Sequence, residues 1–192
     1  DGLKVFLQET IIPSAANKGI FILAPIITFT VALAAWAVMP FDAHMVLADI
    51  NVGLLYILAI SSLGVYGVVM SGWASNSKYP FFSAMRAAAQ MISYEIAMGM
   101  SVVPVFMVVG SLNFSKVIEY QGQHGWLVYP EAFTLVDVAI GAGLFLAFII
   151  FFVCVLAETN RVPFDLPEAE TELVGGFNTE YGSMRFAMFF IG

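Results

Sequence analysis

Two long apolar runs, Val52 to Gly72 and Val138 to Ala157, constrain this chain more than any other feature. Each holds about 20 residues, enough for a helix rising about 1.5 Å per residue to cross roughly 30 Å of hydrocarbon. The rest of the sequence points the same way. Of its 192 residues 60% are hydrophobic and 11% charged, too little charge to cover a surface in water. The predicted class is an all-α, polytopic membrane protein.

Around these runs the chain divides into spans and loops of a single membrane domain. Residues 1–18 carry Leu3, Phe6, Leu7 and Ile11 at helical spacing with Lys4, Gln8 and Glu9 between them. That pattern predicts an amphipathic helix lying in the interface, ended by Pro13. Membrane helices are predicted over 19–39, 52–72, 83–110 and 134–157. Pro25 falls in the first turns of the first, where a lost backbone donor is tolerated, and Pro104 is expected to kink the third. Residues 40–51 form a short loop. Trp73 to Phe82 reads as a polar turn flanked by Trp73, Tyr79, Phe81 and Phe82, an aromatic belt at a membrane boundary. A longer loop runs to about Glu131, an acidic loop occupies 158–185, and 186–192 begin a fifth span. No internal repeat at solenoid spacing is evident. The opening on Asp1, without an initiator Met or a signal-peptide pattern, and the stop at Ile191-Gly192 inside a span lead us to expect a fragment.

The basic residues orient this arrangement. Lys4, Lys18, Lys78, Arg86, Arg161 and Arg185 fall on one side of the alternating spans and Lys116 alone on the other. The excess of Lys and Arg on cytoplasmic loops places the 158–185 loop in the cytoplasm, or in the matrix of a mitochondrion.

Charge and composition also exclude several classes of function. The net charge of −7 is concentrated, with Glu158, Asp165, Glu168, Glu170, Glu172 and Glu180 all in one loop, which argues for a local task. No basic stripe for nucleic acid exists. The single cysteine, Cys154, lies in an apolar run, so neither a disulfide framework nor a thiolate metal site is available. His44 and His124 have no metal-ligand partners at useful spacing. There is no Gly-rich phosphate loop and no nucleophile elbow. Asn113-Phe114-Ser115 matches a glycosylation pattern short enough to arise by chance and is given no weight.

Three features carry chemistry. Glu95 lies within the third span, nine positions past Arg86, or roughly 13 Å along a helix axis. A carboxylate at that depth costs at least ~2.5 kcal/mol, and its default role is a proton or charge relay; a structural, protonated or water-bridged glutamate is the alternative. Glu158 closes the fourth span at a helix C-terminus, an electrostatically poor place for a carboxylate. Arg161 is close enough in sequence to compensate it, and a structural and a functional pair both stay open. In the segment from Arg161 to Glu172, Pro163 and Pro167 oppose a regular helix. Glu168, Glu170 and Glu172 alternate by two, so like-charge repulsion favours protonation of at least one. Val162, Phe164, Leu166, Leu173, Val174 and Phe177 thread through the loop and imply that it packs into something, not that it is merely solvated.

The run Glu158-Thr159-Asn160-Arg161-Val162-Pro163-Phe164-Asp165-Leu166-Pro167-Glu168-Ala169-Glu170-Thr171-Glu172-Leu173, followed by Gly176-Phe177-Asn178-Thr179-Glu180-Tyr181, closely resembles the signature of a known family. That family is subunit 1 of respiratory complex I, NADH–quinone oxidoreductase, with its bacterial counterparts. Asp1-Gly2-Leu3-Lys4, Gly72-Trp73-Ala74-Ser75-Asn76-Ser77-Lys78-Tyr79, and Met85-Arg86-Ala87 through Ser93-Tyr94-Glu95 agree as well, so the resemblance covers essentially the whole chain.

The resemblance implies an eight-helix membrane subunit, missing here its first helix and last spans, at the junction of the hydrophilic and proton-pumping arms. Its inner-face loops help form the chamber for ubiquinone or menaquinone. Glu95 and Glu158 match the intramembrane carboxylates that link the chamber to the proton path. Asp165, Glu168, Glu170 and Glu172 match the acidic loop, with Arg86 and Arg161 as basic partners and Glu180 and Tyr181 completing the group. Quinone reduction consumes protons and creates negative charge beside this cluster, which would shift protonation of Glu158 and Glu95. The implied partners are the hydrophilic quinone-site subunits, adjacent membrane subunits, quinone and the lipid bilayer, in a bacterial or mitochondrial inner membrane. NADH, FMN and iron–sulfur clusters belong to partner subunits, and this chain carries no redox centre or metal of its own. The homologous subunit of a membrane-bound hydrogenase, an ion-coupled transporter using Glu95, and a structural anchor for the pumping arm are the alternatives.

Overall fold

A computed structural model describes residues 4, 7–42, 45–129, 134–161, 163–164 and 176–191. They form six α-helices: α1 Lys18–Ala35, α2 Gly53–Ala74, α3 Lys78–Val109, α4 Phe114–His124, α5 Leu135–Glu158 and α6 Met184–Ile191. A 3₁₀ turn, Trp36–Val38, extends α1. Four of these segments are long and apolar enough to cross a membrane: Lys18–Val38, Gly53–Ala74, Lys78–Val109 and Leu135–Glu158. Among the described residues the only β pairing is a single bridge between Asp42 and Met45.

The distribution of side chains is that of a bundle in lipid. Large apolar residues such as Phe148, Phe152, Ile96 and Met107 face outward, whereas the interior holds Thr28, Ser71, Ala84, Ala87 and Ala88. Lipid tails are as apolar as leucine, so helices associate through close packing of small residues, not by hiding hydrocarbon from water. Two glycines set the closest approaches. A Cβ at Gly67 would overlap Thr28 Oγ1 on α1, and a Cβ at Gly72 would overlap Ala84 Cβ and come within 2.9 Å of Pro80 O on α3.

Several boundaries differ from the sequence expectation, each for a local reason. The turn expected over 73–82 contracts to 75–77, because α2 continues to Ala74 and α3 begins at Lys78. Pro80 sits in the first turn of α3, where its missing N–H would have had no helical partner. Asn76 turns the chain with φ 51°, a left-handed conformation that asparagine tolerates. Its side-chain amide donates to Ala15 O, and Asn17 N–H donates to Ala74 O, which ties the start of α1 to the end of α2. Pro104, expected to kink the third span, lies within α3, five residues before its end at Val109.

The N-terminal helix expected to reach Pro13 ends by Leu7, and residues 9–13 are not helical. The β-branched run Thr10-Ile11-Ile12 leads directly into Pro13, which disfavours a helical residue before it. Conversely, the loop expected up to Glu131 contains α4. Asn113 caps it: its side-chain oxygen accepts from Lys116 N–H at 3.2 Å and its Nδ2 donates to Asp49 Oδ1 at 2.6 Å. This buried amide is the asparagine of the discounted glycosylation pattern. At α5, Thr134 accepts from Asp137 N–H and donates to the Asp137 carboxylate, a reciprocal cap that fixes the start of the span.

Candidate functional site

The site is built along α3, which packs against both α2 and α5. Glu95 on α3 accepts two hydrogen bonds on one carboxylate oxygen, from Ser61 Oγ at 2.5 Å and from Ser62 Oγ at 2.8 Å, both on α2. Ser61 is thirteen residues before Ala74 and eight after Gly53, about 20 Å and about 12 Å from the two helix ends. The carboxylate is therefore held near mid-span, where each hydroxyl offsets part of the cost of removing its charge from water.

Five residues earlier on α3, Gln90 reaches the end of α5. Its amide donates to Ala157 O at 2.9 Å, Asn160 Oδ1 at 3.3 Å and Phe164 O at 3.0 Å. One turn further on, Tyr94 meets Phe164 edge to face at 5.4 Å. The α5 terminus is prepared for this contact. Asn160 adopts φ 49°, Asn160 N–H donates to Ala157 O, and Arg161 N–H donates to Leu156 O. These are the two bonds of a Schellman cap, with asparagine in the left-handed position that glycine usually takes. Gln90 lies twelve residues into α3. The segment leaving α5 thus enters beside the body of α3, not at its tip.

Glu158 is the last residue of α5, and its Oε2 is buried without a hydrogen-bond partner among the described residues. Glu95 and Glu158 lie on α3 and α5, two helices packed against one another. Among the described residues no ion pair joins Glu158 to Arg161. The Arg161 guanidinium lies over the Phe190 ring of α6, 6.0 Å from its centroid. Arg86 is exposed, one turn before Gln90 on α3. Asp165, Glu168, Glu170 and Glu172 lie outside the described residues.

From Gly176 onward the described residues pack deeply. Phe177 lies against Val68, Ala84 and Ala87, and meets Phe189 edge to face. Tyr181, only 5% exposed, stacks on Phe21 of α1 at 3.9 Å with the rings 5° from parallel. Burial pushes its hydroxyl above the ordinary tyrosine range, partly offset by the nearby Arg185 charge. The Arg185 guanidinium lies over the same Phe21 ring, 5.7 Å from its centroid. Both Tyr181 OH and Arg185 Nη1 are buried without hydrogen-bond partners among the described residues. Glu180 is half-buried beside them.

The structure thus places Glu95 and Glu158 on two helices packed against one another and sets Arg86, Arg161, Glu180 and Tyr181 toward the end of the bundle that carries Glu158. It adds Ser61, Ser62, Gln90, Phe21 and Arg185, which sequence reasoning does not single out. The available signal for the serines was two adjacent hydroxyls in the middle of an apolar span; for Gln90 it was the four-residue spacing from Arg86 and to Tyr94. No group of three metal-binding side chains exists among the described residues. A cleft of about 450 Å³ at the other end of α3, lined by Val103, Phe106, Met107 and Lys116, contains no carboxylate and is not part of this cluster.

Residues 1–192 match the NADH dehydrogenase family. The chain is 64% identical over 193 residues to an NADH-quinone oxidoreductase subunit from Erythrobacter litoralis, covering all of this chain and 53% of that protein. It is 55% identical over 192 residues to the corresponding NADH-quinone oxidoreductase subunit from Rhodospirillum rubrum, again covering all of this chain and 53% of the relative. Against NADH-ubiquinone oxidoreductase chain 1 of Chondrus crispus it is 56% identical over 192 residues, covering all of this chain and 55% of that protein. The chain spans about half the length of the curated relatives it matches.

Proposed function

The chain belongs to the NADH dehydrogenase family, and on that premise we propose that it is part of the membrane subunit that couples quinone reduction to proton translocation in an NADH–quinone oxidoreductase. The observation that carries this reading is the pair of carboxylates: Glu95, held by two hydroxyls near mid-span, and Glu158, buried with an unpartnered oxygen where the acidic segment begins. An unsatisfied buried carboxylate oxygen is costly, and an arrangement that tolerates one is supplied with a group ready to accept a proton.

In this reading Gln90, Tyr94 and the Asn160 cap anchor Asn160 and Phe164, just before Asp165, and the carboxylates of Asp165, Glu168, Glu170 and Glu172 serve the quinone chamber. Arg161 and Arg86 balance the negative charge that develops as quinone is reduced. That charge reaches Glu158 first, because Glu158 is joined to the loop, and Glu95 through its interaction with Glu158. NADH, FMN and iron–sulfur chemistry belong to partner subunits, and ubiquinone or menaquinone is the substrate. The names of the relatives, which include NADH-quinone and NADH-ubiquinone oxidoreductases, support the substrate class.

The deciding experiment replaces Glu95 in the full-length subunit. Glu95→Gln keeps shape and hydrogen bonding and removes titration. The complex assembles, while quinone reductase activity and proton pumping both fall; Glu95→Asp retains more of each. Near-normal activity in both variants, at matched subunit content, would make Glu95 a structural polar residue.

The proposed location is an inner membrane, with the end of the bundle that carries Lys78 and Arg161 in the cytoplasm or matrix. In a Cys154→Ser background, Asn76→Cys reacts with an impermeant thiol reagent from that side and Gln123→Cys from the other. Labelling of both from one side would overturn the orientation.

A further inference from the structure

Ser61 and Ser62 each reach two acceptors. Ser61 Oγ lies 3.1 Å from Leu58 O on its own helix and 2.5 Å from Glu95 Oε1. Ser62 Oγ lies 2.8 Å from Leu58 O and 2.8 Å from the same Glu95 oxygen. Hydroxyl groups in membrane helices commonly return their proton to a carbonyl three or four residues back, so the Leu58 bond is the resting alternative open to any serine here. Two adjacent serines sharing both that carbonyl and a carboxylate from another helix make a more specific arrangement. Each hydroxyl carries one proton and two lone pairs. The helices cannot easily separate to relieve the competition without losing packing, because Leu58 also lies against Gly99, one turn beyond Glu95, where an added Cβ would sit 3.4 Å from both Leu58 methyl carbons.

The protonation state of Glu95 decides the competition. An ionised carboxylate is an acceptor only, and charge-assisted hydrogen bonds to it are about twice as strong as neutral ones. Both serines then donate to Glu95. A protonated Glu95 has an O–H of its own that needs an acceptor. One serine oxygen takes it, and that serine turns its own proton to Leu58 O.

We propose that Ser61 and Ser62 are positioning residues for Glu95 that form a hydroxyl switch, donating to the carboxylate when it is charged and to Leu58 O when it is protonated. The serines neither gain nor lose a proton: the only change in proton count is the one that Glu95 accepts or releases. The switch lets Glu95 change charge near mid-span without moving its side chain, with Oε1 and both serine hydroxyls hydrogen-bonded in either state. It also makes α2 sensitive to the charge on α3. The proposal rests on the relay reading of Glu95.

The test uses the assembled complex carrying the full-length subunit, with four versions: unaltered, Ser61→Ala/Ser62→Ala, Ser61→Thr/Ser62→Thr and Glu95→Gln, together with the alanine pair combined with Glu95→Gln. The infrared band of the protonated carboxyl that disappears in Glu95→Gln is followed, alongside kcat and KM for quinone. In the alanine pair the band moves to higher wavenumber, because the acid loses its serine acceptor. At matched complex content kcat falls on the order of tenfold, the loss expected for one charge-assisted hydrogen bond, with KM for quinone unchanged. The threonine pair, which keeps both hydroxyls, restores band position and kcat. Adding the alanine pair to Glu95→Gln causes no further loss of kcat, which a packing defect would not reproduce. An unmoved band, or equal losses with and without the Glu95 carboxyl, overturns the switch. Full turnover in Glu95→Gln alone overturns the relay reading instead, and the band then still decides whether the serines hold the carboxyl.

Discussion

Where α1 crosses α2, contact depends on the side chain that Gly67 lacks; where α3 meets the end of α5, it depends on what Gln90 donates. The first seam, with its continuation through Gly72 and Ala84, is closed by shape. Its atoms touch in one arrangement, and a larger residue forces the helices apart. The second seam is held by directional bonds from one amide to Ala157 O, Asn160 Oδ1 and Phe164 O, with Glu95 bridged to Ser61 and Ser62 beside it. Each partner there has more than one way of being satisfied. The shape-closed seam suits a fixed frame, and the hydrogen-bonded seam suits the place where charge changes.

The largest effect expected from this contrast is at Gly72. Glycine to alanine in a helix interior is intrinsically favourable by about 1 kcal/mol, yet here the new Cβ meets Ala84 Cβ and the Pro80 carbonyl, atoms fixed to backbone. Overpacking of about 1–3 kcal/mol outweighs the gain, and Gly72→Val is worse. Both variants lower the amount of assembled complex on native gels, valine severalfold, while activity per assembled complex stays near normal. Full assembly of Gly72→Val would show that the seam is not closed by shape.

An intermediate effect, of the opposite kind, is expected at Gln90. Gln90→Leu keeps most of the volume but leaves Phe164 O without its donor, and interhelical hydrogen bonds in membranes contribute about 0.6 kcal/mol on average and at most about 1.7. Assembly survives, and quinone reductase activity per complex drops because Asn160 and Phe164 lose their anchor on α3. A loss of assembly as large as that in Gly72→Val would erase the distinction between the two seams.

Tyr181 sharpens the comparison at the smallest scale, because it joins a shape contact to an unpartnered polar atom. Tyr181→Phe keeps the stack on Phe21 and removes a buried hydroxyl without a partner, so subunit stability rises or stays level, by about 1 kcal/mol or less. Tyr181→Leu loses the aromatic pair, about 0.5–1.5 kcal/mol beyond area. Both are read from thermal inactivation of the assembled complex. A drop in turnover in Tyr181→Phe would move this residue from the frame into the working seam.

Legibility in the sequence followed the range of the interactions. The four spans could be read because run length and hydropathy are local properties, and Glu95 and Glu158 stood out because charge in an apolar run is rare. The 75–77 turn was overestimated because Asn76, Ser77 and Pro80 are turn formers, and only the position of Pro80 in the first helical turn makes it harmless. The α4 helix escaped because it is amphipathic and short, with a cap hidden in an apparent glycosylation pattern. Ser61, Ser62 and Gln90 escaped for a different reason. Uncharged polar residues cost little in a span, and what distinguishes them is a partner on another helix, more than 30 positions away.

The length of α3 has one further consequence. Its 32 residues make a rod of about 48 Å, against about 30 Å of hydrocarbon. Such a rod cannot stand upright and wholly inside the bilayer, so it leans or projects. Its midpoint falls between Ser93 and Tyr94, one or two residues from Glu95. If it rocks, each degree carries its ends, about 24 Å out, through about 0.4 Å, and Glu95, within several Å of the centre, through only about 0.1 Å. Glu95 sits at the fulcrum of a lever whose arms carry Lys78 at one tip and Val109 at the other. The tips can answer to neighbours on either side of the membrane while the carboxylate keeps its place between its two hydroxyls.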